Sequence, residues 1–222
     1  MPDLAIIIGA GPGLGAALTR RFARGGCAVA PMARDAGRLT DLCAQIEAGG
    51  GTARPFAADS ADFASLRAAI HEAIAWAGPP AALIYNVSRF LAVGPLELSP
   101  ETLDAELRVS ATAALAATQG VVPAMQAAGR GTVLWTGGGT ALRPQGGSGS
   151  PSLTAGKSAM RGLALSSAKA FHEAGINFRT ITINGAIKED TPFAPALIAE
   201  AFWAAFDAPR EAWVAEETFD GG

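Results

Sequence analysis

The sequence is poor in the side chains that most chemistry uses. Its 222 residues include two cysteines, Cys27 and Cys43, two histidines, His71 and His172, and one tyrosine, Tyr85. The two cysteines lack the spacing of a metal site, so no metal is expected. Unpaired thiols fit a reducing cytoplasm, which is the expected location. Charge is also sparse. Seventeen Lys and Arg against 20 Asp and Glu leave a net charge of −3. There is no basic stripe and no long charge run, which argues against a nucleic-acid partner. No apolar run reaches the ~18 residues that a membrane span requires. The opening MPDLAIIIGAG lacks a positively charged n-region and meets glycine early, so it does not read as a signal peptide.

What is present is apolar residue and glycine. Half the residues are hydrophobic, enough to bury a sizeable core, and the length suits one α/β domain spanning residues 1–222. Strand-like and helix-like stretches alternate throughout. Strands are expected at 4–8, 27–33, 52–58, 82–87, 132–136, 177–183 and 213–219. Helices are expected at 16–24, 37–48, 63–76, from the Ser99-Pro100-Glu101 cap to Gln126, at 153–174 and at 196–206. The glycine-rich stretch from Gly137 to Ser152 reads as a loop rather than a linker, because a further strand–helix unit follows it. This alternation implies a doubly wound, Rossmann-type parallel sheet of about seven strands with helices on both faces.

Between the first strand and the first helix lies IIIGAGPGLGAAL, with Gly9, Gly11, Gly13 and Gly15. Glycines there permit a tight turn and close approach of the backbone to a pyrophosphate, and the helix N-terminus offers free N–H groups to the anion. A structural turn is the plainer alternative. The strand–turn–helix context favours dinucleotide binding.

The spacing Gly9-xxx-Gly13-x-Gly15 resembles that of the short-chain dehydrogenase/reductase family, with Leu14 where other Rossmann proteins place glycine. The segments PMARDAGRL, AADSAD, LIYNVS and TINGAI extend the resemblance over nearly the whole chain. It implies that Asp59 and Ser60 lie beside an adenine, that Asn86 and Val87 line the coenzyme, and that Gly185 and Ile187 lie near a nicotinamide. Ala33 stands where an acidic residue would select NAD. Arg34 follows it and suits a 2′-phosphate, so NADP is favoured over NAD. A solvated surface arginine is the alternative.

The family's chemistry uses Asn, Ser, Tyr and Lys. SLTAGKSAM supplies Lys157, which the resemblance assigns to the coenzyme ribose. Four residues earlier, at the tyrosine position, stands Leu153. Counting back from Leu153 places the serine at Thr140, and local similarity places it at Gly138. Ser110 replaces the asparagine. Tyr85 lies on the adenosine side and does not substitute for the missing phenol. The hydroxyls of Ser148, Ser150, Ser152 and Thr154 crowd the region before Lys157 and form a candidate proton relay; the plainer and favoured alternative is that glycine and serine simply populate a flexible loop. His71 and His172 fall in helices away from the glycine loop. Two functions remain open: an NADP-dependent oxidoreductase acting on a small-molecule carbonyl or alcohol, and a non-catalytic dinucleotide-binding protein that serves as sensor or assembly partner. A pocket that binds no coenzyme is the third outcome. The resemblance also implies a homodimer or homotetramer, formed through the alanine-rich helices containing SATAALAAT and GLALSSAKA.

Overall fold

The computed structural model describes every residue except Met1 and Ser148. Its strands are β1 Leu4–Ile8, β2 Ala28–Ala33, β3 Thr52–Ala53, β4 Phe56–Ala57, β5 Pro80–Tyr85, β6 Thr132–Gly138, β7 Asn177–Ile183 and β8 Glu216–Phe219. All pair in parallel, in the order β3-β2-β1-β5-β6-β7-β8, with β4 also on β2. The helices are α1 Leu14–Arg24, α2 Thr40–Ala48, α3 Phe63–Ala77, α4 Pro100–Leu107, α5 Ala113–Ala127, α6 Pro151–Glu173 and α7 Pro195–Phe206.

The central strands are largely apolar because both of their faces are covered. Every residue of β1 is buried. Ile6 and Ile8 face one core, formed with Leu66 and Ile70 of α3, Val121 of α5 and Met160 of α6. Ala5 and Ile7 face the other, formed with Leu18 and Phe22 of α1, Leu42 of α2 and Phe202 of α7. Each large apolar side chain so buried stabilises the fold by about 1.5–3 kcal/mol. Trp135 is fully buried, and its indole N–H donates to Thr118 Oγ1 at 3.1 Å.

Several expected elements differ in detail: the expected helix at 37–48 opens with a 3₁₀ turn, Ala36–Leu39, and the expected strand at 82–87 is Pro80–Tyr85. The expected strand at 52–58 is two short pieces, since Pro55 lies between them and has no N–H to give to β2. The expected long helix starts as read, with Ser99 Oγ accepting the Thr102 N–H at 3.1 Å. It then carries one π turn, Arg108–Thr112, between α4 and α5. The last strand begins at Glu216 rather than Trp213, after a 3₁₀ turn at Arg210–Ala212. Beyond β6, the glycine-rich stretch folds into two 3₁₀ turns, Gly139–Ala141 and Pro144–Gly147, and the same sheet resumes at β7. No helix among the described residues is long and apolar enough to cross a membrane.

Strand order reverses between β1 and β5: the chain winds outward through β2 and β3, then returns to the other side of β1. At such a switch point the loops leaving the carboxyl ends of the two strands part and open a crevice.

Candidate functional site

The crevice is a cleft of ≈ 680 Å³, lined by Gly9, Gly11, Gly13, Leu14 and Gly15 along one wall and by Arg34, Asp59, Ser60, Asn86, Val87 and Ile187 around the rest. Two glycines are required by the chain itself. Gly9 has φ +85°, and a Cβ there would lie 2.6 Å from the Asn86 carbonyl oxygen. A Cβ on Gly15 would lie 2.4 Å from the Gly9 carbonyl oxygen. Gly11 differs, since a Cβ there would meet nothing within 4 Å. Its missing side chain leaves the cleft floor bare. Gly13, with φ +82°, precedes α1 and offers no side-chain cap, and no acidic residue stands in the first turn. Among the described residues, the first-turn amides and the positive end of the helix dipole therefore have no side-chain acceptor. Leu14 lines the cleft but is otherwise buried, anchoring the helix start in the core.

Arg34 follows β2, exposed, and forms no salt bridge or side-chain hydrogen bond with a described residue. Its neighbour Arg38 pairs with Asp35 at 3.3 Å. Arg34 also borders a second groove of ≈ 730 Å³ between α1 and α2, to which Arg20 and Arg38 contribute. Asp59 Oδ1 accepts the Ala61 N–H at 2.9 Å and so shapes its own turn. Ser60 is buried beside it.

Asn86 is a clamp. Its Nδ2 donates to the Gly9 carbonyl at 3.1 Å, and its Oδ1 accepts the Thr136 hydroxyl at 3.0 Å. This ties the ends of β1, β5 and β6 together. Lys157 is 4 % exposed, whereas a lysine near a helix start is ordinarily solvated. Its Nζ donates to the Thr136 carbonyl at 2.8 Å and the Val87 carbonyl at 3.3 Å. Burial pushes its pKa down to about 8, against a partial rise from the Glu106 charge.

The remaining residues sort less simply. A Cβ on Gly138 would lie 3.4 Å from Lys157 Cγ, so the side-chain direction facing the lysine stem belongs to Gly138. Thr140 sits two residues on, in the 3₁₀ turn, half-buried. Ser110 lies in the π turn, fully buried, and donates to Glu106 Oε1 at 2.6 Å. Gly185 is fixed by packing, since a Cβ there would lie 2.4 Å from the Phe193 ring. Ile187 is exposed at the cleft edge. Ser150 Oγ accepts the Leu91 N–H at 3.4 Å, Thr154 Oγ1 donates to the Gly147 carbonyl at 3.4 Å, and the Ser152 hydroxyl is buried without a partner among the described residues. Ser148 lies outside the described residues. Tyr85 is fully buried and donates to the Val109 carbonyl at 2.5 Å, and burial pushes its phenol far up. His172 Nε2 contacts the Phe178 carbonyl oxygen at 2.7 Å, and neither histidine lines the cleft.

The sequence reading missed Thr136, which orders Asn86, and Glu106, a fully buried carboxylate. Thr136 could have been found as the polar end of an apolar strand. Glu106 reads as an ordinary helical surface charge, and only the facing Gly156 on α6 hints at a close approach.

Parallel strands, a bare glycine turn at the switch point and an unobstructed helix start define a Rossmann-type nucleotide-binding protein. A model of the short chain dehydrogenase family matches residues 3–195, and the chain belongs to that family. It is 36% identical over 126 residues to a short chain dehydrogenase of Pseudocercospora fijiensis, covering 54% of this chain but only 40% of that protein's length. It is 29% identical over 191 residues to a subunit of the (2S)-[(R)-hydroxy(phenyl)methyl]succinyl-CoA dehydrogenase of Thauera aromatica, covering 86% of this chain and 75% of that subunit. A metagenomic short-chain oxidoreductase solved in complex with NADP superposes with a TM-score of 0.88 at 25% identity, covering 97% of this chain and 96% of the other. A metagenomic blue fluorescent protein solved with NADPH superposes at 0.85 and 26% identity, over 99% and 97% of the two chains.

Proposed function

We propose that the protein is an NADP-dependent oxidoreductase whose catalytic set is degenerate, acting on a small carbonyl, alcohol or related compound. The observation that carries the reading is the cleft itself. Its floor is bare at Gly11, uncapped amides stand at one wall, Arg34 is unpaired at one end, and Lys157 is held beside Val87 in a network with Asn86 and Thr136. These features fit NADP. The amides of residues 13–15 would receive the diphosphate, Arg34 the 2′-phosphate, Asp59 and Ser60 the adenosine, and Lys157 the nicotinamide ribose. Gly185 and Ile187 would border the ring. Bound coenzyme supplies the hydride chemistry. The chain then has to orient the coenzyme and move one proton, and here the set is depleted. Leu153 carries no proton, Gly138 carries no hydroxyl, and Ser110 gives its hydroxyl to Glu106. Thr140, at the counted serine position, would hold a carbonyl oxygen. The protein is expected to be cytoplasmic and to form a homodimer or homotetramer through α5 and α6.

The depletion favours a second reading, a non-catalytic coenzyme-binding protein or assembly partner. Ser150 and Thr154 of the candidate relay are engaged with the main chain rather than aimed at Lys157. The deciding experiment is an NADPH titration run beside NADPH oxidation with a panel of aldehydes, ketones and quinones. Binding with turnover supports the enzyme, and binding without turnover supports the partner. If no heat is detected with NADPH or NADP⁺ at millimolar concentration, both readings are lost.

A further inference from the structure

Glu106 has no role in the readings above, yet it is fully buried. Its Oε1 accepts the Ser110 hydroxyl at 2.6 Å, and its Oε2 has no hydrogen-bond partner among the described residues. A buried carboxylate needs a proton or a nearby positive charge. The facing helix carries a lysine, with no salt bridge within 4.0 Å between it and the carboxylate, so a coupling between them acts through space in the low-dielectric interior. Gly156 lets α6 press onto α4 so closely that a Cβ there would lie 2.8 Å from Ser110 Oγ and 3.3 Å from Glu106 Cγ. The next residue is Lys157, whose buried ammonium has carbonyl partners alone among the described residues. Other charged groups near the two helices are committed elsewhere or face solvent: Lys169 pairs with Glu173, His172 contacts the Phe178 carbonyl, and Asp104 is exposed. Arg161 pairs with Glu216 and Arg179 with Glu217, Arg108 donates to the Ala61 carbonyl, and Tyr85 stays protonated.

We propose that Glu106, set by Ser110, is the countercharge of Lys157: a positioning residue that keeps the ammonium protonated in a site with no phenol at Leu153. The Lys157 field rises and falls with this carboxylate, so the grip on a coenzyme ribose is set from α4. The coenzyme part of this inference rests on the function proposed above. The charge coupling does not.

The chain has three lysines, Lys157, Lys169 and Lys188, so ¹³C-lysine labelling gives a simple spectrum in which each can be titrated in coenzyme-free protein. Lys157 is expected to titrate below the other two. Glu106→Gln retains an acceptor for Ser110 and should move the Lys157 midpoint down by about one pH unit or more, the scale of a close opposite charge. Coupling is reciprocal, so Lys157→Met, which leaves α4 untouched, should move the Glu106 carboxyl midpoint up by a similar amount, read from ¹³C-glutamate. This second variant decides the matter if Glu106→Gln does not fold. A Lys157 midpoint unchanged by Glu106→Gln, or a Glu106 midpoint unchanged by Lys157→Met, overturns the proposal. NADPH calorimetry on the same samples tests the coenzyme reading separately: if no binding is seen while the midpoints move, that reading fails and the coupling stands.

Discussion

On the amino-terminal side of the cleft, the glycine turn after β1 and the start of α1 present main-chain groups, and Arg34 after β2 adds one charged side chain. On the carboxyl-terminal side, β6 and α6 bring together Gly138, Leu153 and Lys157, with Ser110 turned toward Glu106; in the function proposed above, this is where the catalytic set is altered. The first flank depends on backbone shape, which the packing of Gly9 and Gly15 enforces for the sake of the fold. The second depends on individual functional groups, each replaceable without loss of the sheet. On that reading, a binding surface made of amides would survive sequence drift that removes an acid catalyst.

The sharpest way to break this contrast is Gly9→Val. Positive φ alone costs about 1–3 kcal/mol, and the side chain would strike the Asn86 carbonyl. Coenzyme heat in calorimetry should vanish and the thermal midpoint should fall. Retained binding would show that the glycine turn is not the anchor. Next comes Leu153→Tyr, which places a phenol one helical turn from Lys157. If the missing acid is what limits turnover, NADPH-dependent carbonyl reduction should rise about 10²–10⁴-fold. An unchanged rate would mean that the carboxyl-terminal flank lacks more than a proton donor. Arg34→Ala should weaken NADPH about tenfold to a hundredfold, the worth of charged hydrogen bonds, and leave NADH unchanged. Equal loss for both coenzymes would remove the 2′-phosphate assignment.

The last prediction concerns pH. The folded-state value for Lys157 is about 8, against an ordinary 10.5. The unfolded chain therefore holds more protons between those two values, and this group's contribution to stability rises with pH across that window. Coenzyme affinity should move oppositely, since the ammonium is lost as pH passes 8. Cys27 and Cys43 are pushed up to about 11 by burial and oppose the stability trend above about pH 9. The comparison is therefore the difference between wild type and Lys157→Met, in which the thiols cancel. A flat difference between pH 8 and 10 would place the lysine in solvent.

Apolar strands alternating with amphipathic helices left the winding of the sheet legible, and the strand–turn–helix setting of Gly9 to Gly15 left the cleft legible. Lys157 was legible as a residue but not as a buried one, because burial comes from the ends of β5 and β6 closing over it. The serine position was open between Thr140 and Gly138. Only the register of β6 and α6 turned Gly138 toward the lysine stem.

The order of residues by itself determined the parallel sheet, the glycine turn after β1 and the leucine at position 153, because periodicity and local turn chemistry are properties of neighbours along the chain. Tertiary structure alone decided that Asn86 ties three strands, that Ser110 serves Glu106, and that a carboxylate and a lysine are buried on facing helices. Those facts arise from contacts between distant segments, where burial and electrostatics depend on what packs across the gap.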